Sequence, residues 1–321
     1  MCKSTKIVQF IEILPELSGQ RIDNFLVTRL KGAPKTLIYR LLRKGEIRVN
    51  KGRKKPTYKL QPGDVIRIPP LRLSDAKNIP ARNGRLEELL TKSVIYEDSD
   101  MVVINKPTGL AVHGGSGISL GVIEIMRILY PKVKKLELVH RLDRDTSGCL
   151  ILAKKMSILR GFHQLIRENR VEKRYLALLK DRMTSEKRQV KAPLLKNTMV
   201  SGERMVSVSQ DGKPSKTIFH LVERFKTCSY TEVELLTGRT HQIRVHSAYI
   251  NHPIAGDPKY GDQTFNHDFK KLGLNRLFLH ASKLRFQHPG TDEPIVIEAP
   301  LPSELSKVLK RLRSEDATSK I

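Results

Sequence analysis

The nine residues from His140 to Gly148 combine two carboxylates, two guanidinium groups and an imidazole in one short stretch. The mainly apolar segments on either side, 136–139 and 149–153, are typical of short strands. We therefore predict that the stretch is a loop between two strands and that it ends at Gly148. Reactive side chains often lie on loops that a rigid scaffold holds in place.

A second polar cluster, residues 237–246, directly follows another strand-like segment. The sequence leaves its conformation open: an extended segment puts Arg244 on the same face as Gln242, and a helix puts it one turn from His241. In both cases an arginine opposite Asp143 would pair with the negative charge of that residue. Nucleophilic attack requires the ionised form of a carboxylate, so Asp143 is the candidate reactive group.

Three histidines of this region, His241, His246 and His252, are close enough in sequence to suggest a metal site. Their spacing matches no zinc pattern, and no pair of cysteines accompanies them. A hard cation, or a two-metal nuclease site, would need more carboxylates than Asp143 and Asp145 supply. The sequence therefore predicts no metal.

Length and composition indicate two folded domains and a polyanionic partner. The 321 residues are 39% hydrophobic, which is enough to build a substantial core. The net charge of +26 and a pI near 10.1 favour nucleic acid, and less often an acidic membrane surface, as the partner. Residues 1–80 hold 18 basic and 6 acidic side chains, so the first quarter of the chain is predicted to be a basic module.

The cysteines and the hydropathy pattern indicate the compartment. Cys2, Cys149 and Cys228 are odd in number and far apart, which suits neither a disulfide framework nor a metal site. No apolar run has the length of a membrane span, and the first residues do not follow the pattern of a secretory signal. We expect a soluble, cytoplasmic protein.

The basic module, residues 18–80, has the pattern of two short helices followed by a small curved sheet. The spacing of Leu37, Ile38, Leu41 and Leu42 predicts that the second helix buries one stripe and turns its basic residues outward. This arrangement, with the segment 19–26 (GQRIDNFL), resembles the S4 RNA-binding domain. The resemblance implies that phosphates bind at Arg21, Arg40, Arg43, Lys44 and Arg48. The alternative is a solvated charged helix face without a ligand.

Residues 69–90 carry prolines, polar residues and no sustained period, and we predict a linker there. The remainder, residues 91–315, is predicted to form one larger domain in which strands predominate.

The motifs of the larger domain resemble those of the RluA-type pseudouridine synthases. The similarity runs from about residue 91 to residue 302, and its nine-residue loop is highly specific. The motifs that carry it are 105–107 (NKP), 112–114 (VHG), 140–148 (HRLDRDTSG), 173–175 (KRY), 212–215 (GKPS), 237–244 (TGRTHQIR) and 275–281 (NRLFLHA).

The resemblance implies an α+β fold, with the S4-like domain followed by a catalytic domain on a mixed, mainly antiparallel sheet. It also implies isomerisation of specific uridines in 23S ribosomal RNA, at more than one site, by a monomer without a cofactor. Asp143 would be the essential carboxylate, by attack on the base, by attack on the sugar or by removal of a ribose proton. Tyr175 would stack on the flipped base and is a candidate for removing the C5 proton.

Arg244 would pair with Asp143, and the implied RNA contacts of this domain are Arg141, Arg239 and His241. A target uridine inside folded RNA must leave its stack, at a cost of a few kcal/mol.

Other functions remain open at this stage. The chain could be a non-catalytic RNA-binding or ribosome-assembly protein, or a related synthase with a different ribosomal RNA target. An RNA hydrolase is disfavoured because a carboxylate cluster is missing. A pure binder has no use for Asp143, Tyr175 and Arg244 together, and this set distinguishes the enzyme from it.

Overall fold

The structure is a computed structural model that describes residues 4–5, 7–30, 33–72, 84–114, 120–198 and 204–318. The chain divides into two compact units, Met1–Arg82 and Asn83–Ile321.

The described residues of the first unit form two α-helices, a three-stranded antiparallel sheet and a separate two-stranded antiparallel pair. Its strands are β1 (Ser4–Thr5), β2 (Gln9–Glu12), β3 (Arg48–Val49), β4 (Val65–Ile68) and β5 (Leu71–Arg72), and its helices are α1 (Ile22–Arg29) and α2 (Lys35–Lys44). Strand β4 lies between β2 and β3, and β1 pairs with β5.

The core of the first unit follows from the apolar period of its helices. Ile38, Leu41 and Leu42 of α2 are buried, as their spacing predicted, and pack in one cluster with side chains of α1 and β4. Gly45 ends α2 in the left-handed conformation, with φ of 72°. A residue with a side chain would be strained there, which is why glycine is favoured at this cap.

The second unit contains most of the chain. Its strands are β6 (Val94–Glu97), β7 (Met101–Lys106), β8 (Glu137–Leu138), β9 (Ser147–Ala153), β10 (Glu172–Lys180), β11 (Lys187–Lys191), β12 (Leu194–Thr198), β13 (Arg204–Val208), β14 (Lys216–Arg224), β15 (Cys228–Leu235), β16 (Leu279–Gln287) and β17 (Pro294–Glu298). Its helices are α3 (Gly84–Lys92), α4 (Val122–Leu129), α5 (Met156–Arg167), α6 (Gln242–Tyr249), α7 (Gln263–Lys271) and α8 (Ser303–Thr318).

Within the described residues, ten of these strands form one sheet, in the order β11-β14-β15-β10-β16-β9-β7-β6, with β17 beside β16 and β8 beside β9. Strands β9 and β16 run parallel, and the other pairs described in this sheet are antiparallel. The sheet is therefore mixed and mainly antiparallel, which confirms the predicted α+β fold. Strands β12 and β13 form a separate hairpin.

Strand β9 explains why the sheet has a core on both faces. All seven of its residues are buried, and residues 149–153 alternate between two apolar clusters. Leu150 and Leu152 pack on the side of α3, α4 and α8, whereas Cys149 and Ile151 pack on the side of α5. Successive side chains of a strand point to opposite faces, so an uninterrupted apolar run is expected for a strand covered on both sides.

Two local predictions were wrong at their edges. The polar loop does not extend to Gly148, because Ser147 and Gly148 already belong to β9. The predicted linker, residues 69–90, contains β5 and most of α3. In the described part of the chain, no helix has both the length and the apolar character of a membrane span.

Candidate active site

The Asp143 loop connects β8 to β9, and its backbone is held by the turn that follows β7. The buried ammonium of Lys106 donates hydrogen bonds to the carbonyl oxygens of Pro107 at 2.8 Å, Leu110 at 2.9 Å and Arg144 at 3.0 Å. Burial lowers the pKa of Lys106 to about 7. Three carbonyl acceptors occupy its three donors, so the residue next to Asp143 is fixed through its backbone.

The other end of the loop is fixed by the parallel pair of strands. The hydroxyl of Ser147 lies 2.9 Å from Nδ1 of His280 and accepts a hydrogen bond from Arg276 at 2.7 Å. Nε2 of His280 lies 3.1 Å from the carbonyl of Ala299 and donates to it, so Nδ1 accepts from Ser147. Burial lowers the pKa of His280 to about 4, and the ring is therefore neutral near pH 7.

Arg244 lies on α6 between two carboxylates, one of which the sequence did not reveal. Its Nε and Nη2 each donate to Asp257 at 2.7 Å, and its Nη1 lies 3.6 Å from Oδ2 of Asp143. The side chains of Arg244 and Asp257 are 5% and 1% exposed, against 26% for Asp143. Burial alone would raise the pKa of Asp257, but the hydrogen bonds from Arg244 hold it below its usual value. Arg244 thus approaches Asp143, as predicted, while its bidentate partner is Asp257.

His241 faces the other oxygen of Asp143 and is bonded to a tyrosine that the sequence analysis also missed. Its Nε2 lies 3.9 Å from Oδ1 of Asp143, and its Nδ1 lies 2.8 Å from the hydroxyl of Tyr260. That hydroxyl already accepts the amide N–H of Val206, on β13, at 3.1 Å. The hydroxyl therefore donates to Nδ1, and the ring carries its proton on Nε2, because the opposite tautomer would aim a lone pair at the carboxylate. Burial lowers the pKa of His241.

Tyr175 lies on β10, where a β-bulge interrupts the pairing of β10 with β16 between Arg174 and Leu176. Bulges re-aim side chains and are common beside active sites. The Tyr175 side chain is 7% exposed, and burial, followed by the negative charge of Asp143, raises its pKa. The phenol is therefore protonated near neutral pH.

A cavity of about 80 Å³ brings the predicted residues of this unit together, and we call it the Asp143 cavity. The predicted site residues that line it are Asp143, Tyr175, Arg244, Arg141, Arg239 and His241. Arg141 and Arg239 are exposed, and Arg239 also donates to the carbonyl of Pro214 at 3.2 Å. The two polar clusters that are distant in sequence thus form one site. Asp257 and Tyr260 lie in the turn before α7, whose sequence gave no local sign of a link to Asp143.

His140, His246 and His252 have structural partners. The amide N–H of Ile151 donates to Nε2 of His140 at 3.2 Å, and burial, with the charge of Lys173, lowers the pKa of His140 to about 4. His246 bonds to Thr217 at 2.8 Å, and His252 lies 2.8 Å from a backbone carbonyl. Among the described residues, no three His, Cys, Asp or Glu side chains form a cluster that could hold a metal ion.

The predicted RNA-binding residues of the first unit are only partly together. Arg40 and Arg43 line a cavity of about 630 Å³, and the other basic residues that line it were missed by the sequence analysis: Arg53, Lys54 and Lys55. The basic run at 53–55 was the available signal. Lys44 and Arg48 are exposed and do not line this cavity.

Arg21 differs from the other predicted RNA-binding residues of this unit because, within the described residues, it alone among them forms an ion pair with a carboxylate. Its Nη2 donates to Asp23 at 2.6 Å, and the hydroxyl of Tyr39 donates to the same carboxylate at 2.7 Å. The hydrogen bond from Arg21 lowers the pKa of Asp23 to about 2.

Comparison with known families gives two matches along the chain. Residues 100–249 match the family described as RNA pseudouridylate synthase, and residues 20–66 match the S4 domain. Two proteins named Ribosomal large subunit pseudouridine synthase C are among the similar sequences. The one from Pasteurella multocida is 52% identical over 314 residues, 97% of this chain and 96% of its own length. The one from Escherichia coli K12 is 52% identical over 318 residues, 98% and 99% of the two lengths.

Among solved structures, Human RNA Pseudouridylate Synthase Domain Containing 4 superposes with a TM-score of 0.60. It is 29% identical, and the match covers 71% of this chain and 96% of the human chain.

Proposed function

The chain belongs to the RNA pseudouridine synthase family, and from this premise we propose that it isomerises specific uridines of 23S ribosomal RNA to pseudouridine, at more than one site. The family match and the similar sequences confirm the family that the motifs indicated. The substrate is proposed because relatives at 52% identity over nearly the full length are named as large-subunit enzymes.

The reaction leaves the composition of the RNA unchanged. The bond between N1 of uracil and C1′ of the ribose breaks, the base turns, a bond forms between C5 and C1′, and the C5 proton is lost while N1 gains one. No electrons are gained or lost overall, so the reaction needs no redox cofactor. We propose that the enzyme uses no cofactor and no metal. It is also proposed to act as a monomer.

Asp143 is proposed as the essential carboxylate, and the observation that carries this role is its position in the cavity. Arg244 lies 3.6 Å from one of its oxygens and Tyr175 lines the same cavity, so the carboxylate has a cation beside it and an aromatic ring beside the place of the base. The geometry is compatible with attack on the base, with attack on the sugar and with removal of a ribose proton.

Tyr175 is proposed to stack on the flipped uracil, since its ring lies on the wall of the cavity and base–aromatic stacking is favourable by about 1–3 kcal/mol. Its phenol is protonated, so it would need a proton acceptor, such as Asp143, before it could remove the C5 proton. Arg141, Arg239 and His241 are proposed to hold the flipped nucleotide, because they line the same cavity and donate to anions.

The first unit is proposed to bind RNA phosphates without reading sequence. Arg40 and Arg43 face one cavity with Arg53, Lys54 and Lys55, and a concentration of cations attracts the RNA backbone. Lys44, Arg48 and Arg21 are proposed as further contacts, although Arg21 must share its charge with Asp23.

The test is tritium release from C5-labelled uridine in unmodified 23S ribosomal RNA. The wild type should release tritium and Asp143→Asn should not. Asp268→Asn is a matched control, because it makes the same change at an exposed carboxylate on α7, paired with Lys271. Primer extension after carbodiimide treatment would then map the modified uridines. RNA binding without tritium release by the wild type would contradict the proposal and favour a non-catalytic RNA-binding protein.

A further inference from the structure

A second, larger cavity of about 660 Å³ adjoins the Asp143 cavity. The two share the lining residues Arg141, Tyr175, Leu235, Gly238 and Arg239. We call the larger one the side cavity. Its volume exceeds that of the Asp143 cavity several-fold, and the reaction proposed at Asp143 assigns no role to the residues that the side cavity adds.

The lining of the side cavity is basic on one side and apolar on the other. Arg167 and Lys173 add positive charge to that of the two shared arginines, and no aspartate or glutamate is among the described residues that line it. Ile166, Leu236 and Leu284 supply apolar surface. A nucleotide has this same division, with an anionic phosphate and a flat base that packs on apolar side chains.

Lys173 is the residue that indicates an anionic ligand in the side cavity. It is partly buried, lies two positions before Tyr175 on β10, and lines the side cavity together with that tyrosine. In the portion of the chain described by the structure, its ammonium has neither a carboxylate nor a hydrogen-bond partner. Burial accordingly lowers its pKa. Removing a charge from water without a partner costs free energy, and an anion that enters the cavity would recover it.

The side cavity adjoins the Asp143 cavity, and this position indicates which anion would bind to Lys173. An RNA strand is covalently continuous. When the target uridine lies in the Asp143 cavity, the nucleotide joined to it must therefore lie in a space that adjoins this cavity. The side cavity adjoins it at Tyr175 and Arg239 and has the matching charge. We infer that the side cavity binds the nucleotide next to the target uridine, with its phosphate on Lys173 and its base against Ile166 and Leu236. This inference rests on the proposed function.

The first variant to test is Lys173→Met, which keeps the length of the side chain and removes its charge. The substrate is a synthetic RNA around a mapped target uridine labelled with tritium at C5. We expect KM to rise by roughly 10-fold with kcat retained, which corresponds to the loss of a charge-assisted hydrogen bond. The slope of log affinity against log salt concentration should decrease by about 0.7, the contribution of one single-strand phosphate. Lys307→Met, at an exposed lysine on α8, is the control and should leave both quantities unchanged.

The second arm uses RNA in which one phosphodiester, on the 5′ or the 3′ side of the target, is replaced by an uncharged methylphosphonate. If Lys173 binds one of these phosphates, the uncharged linkage at that side should weaken the wild type by the same factor and should have no further effect on Lys173→Met. If the effect of Lys173→Met and the effect of the uncharged linkage multiply at both the 5′ and the 3′ position, the inference is overturned. It is also overturned if Lys173→Met lowers kcat and leaves KM unchanged.

Stability separates this role from a structural one. Because the ammonium of Lys173 lacks a partner in the described structure, Lys173→Met should melt at the same temperature as the wild type or higher. A clearly lower melting temperature would mean that Lys173 supports the fold, and it would overturn the inference. Absence of tritium release by the wild type would instead refute the proposed function, and with it the premise of this subsection.

Discussion

Asp257→Asn is expected to lower the unfolding free energy of the larger unit by about 3 kcal/mol, because it removes one charge of a buried ion pair. Breaking such a pair costs about 3–5 kcal/mol. The lower end applies here for two reasons. Asp143 remains 3.6 Å from the guanidinium of Arg244, and asparagine retains an oxygen that can accept the amide hydrogen bonds of Lys259 and Tyr260.

The effect should depend on pH in a direction set by the lowered pKa of Asp257. A carboxyl group whose folded-state pKa is depressed stabilises the protein above its unfolded pKa, near 3.9, and this stabilisation is lost as the pH falls through the folded value. The difference between wild type and Asp257→Asn should therefore be full at pH 7 and should shrink below about pH 4.

The assay is urea unfolding followed by far-ultraviolet circular dichroism, since the chain has no tryptophan to serve as a fluorescent probe. In thermal unfolding the midpoint should fall by roughly 6–12 °C for a unit of this size. Asp268→Asn is the control and should stay within about 0.5 kcal/mol of the wild type. Equal stability of Asp257→Asn and the wild type at pH 7 would refute the assignment of Asp257 as the residue that holds Arg244.

Three further predictions concern the supports of the site. Gly148→Ala should destabilise the larger unit by at least about 3 kcal/mol in urea unfolding, because φ is +114° and a Cβ would lie 2.2 Å from the carbonyl oxygen of Ala281; a near-neutral effect would contradict the close pairing of β9 and β16. His280 has a folded pKa of about 4, below the unfolded value near 6.5, so the unfolded chain binds more protons between these values and wild-type stability should fall as the pH drops from 6.5 to 4. His280→Gln should flatten this slope in urea titrations, and an unchanged slope would reject the assignment. Tyr260→Phe should reduce kcat roughly 10-fold through the lost hydrogen bond, with no further reduction in a His241→Ala background; independent effects in the double variant would show that the tyrosine acts elsewhere.

The sequence predicted those parts of the site that depend on local pattern. The mainly apolar segments around the loop identified β8 and β9, and the apolar run of β9 is uninterrupted because this strand is buried on both faces. The stripe of α2 identified a helix because its period is 3.6 residues. Helix α3 was missed although Leu86, Leu89 and Leu90 have helical spacing, because the prolines and polar residues before it suggested a linker.

The parts that could not be predicted depend on contacts between distant segments. Whether residues 237–246 are extended or helical was undecided, since both conformations bring Arg244 near one face. The structure has a helix that begins at Gln242, after His241 in the left-handed conformation. The pairing of Asp257 with Arg244 joins α6 to a turn before α7, and neither periodicity nor composition encodes such a contact.

The missed contact explains how Arg244 can assist Asp143 without blocking it. A guanidinium that bound Asp143 through two parallel hydrogen bonds would occupy both carboxylate oxygens. Asp257 instead accepts from Nε and Nη2, which leaves Nη1 to face Asp143 at 3.6 Å, beyond hydrogen-bond distance. His241 likewise remains 3.9 Å from the other oxygen. Asp143 is thus near two donors and tightly bound by neither, so its oxygens are available to a nucleotide. A variant that keeps the charge of Arg244 but loses its fixed orientation, as Asp257→Asn does, should therefore lose part of its turnover, whereas Asp143→Asn should lose all of it.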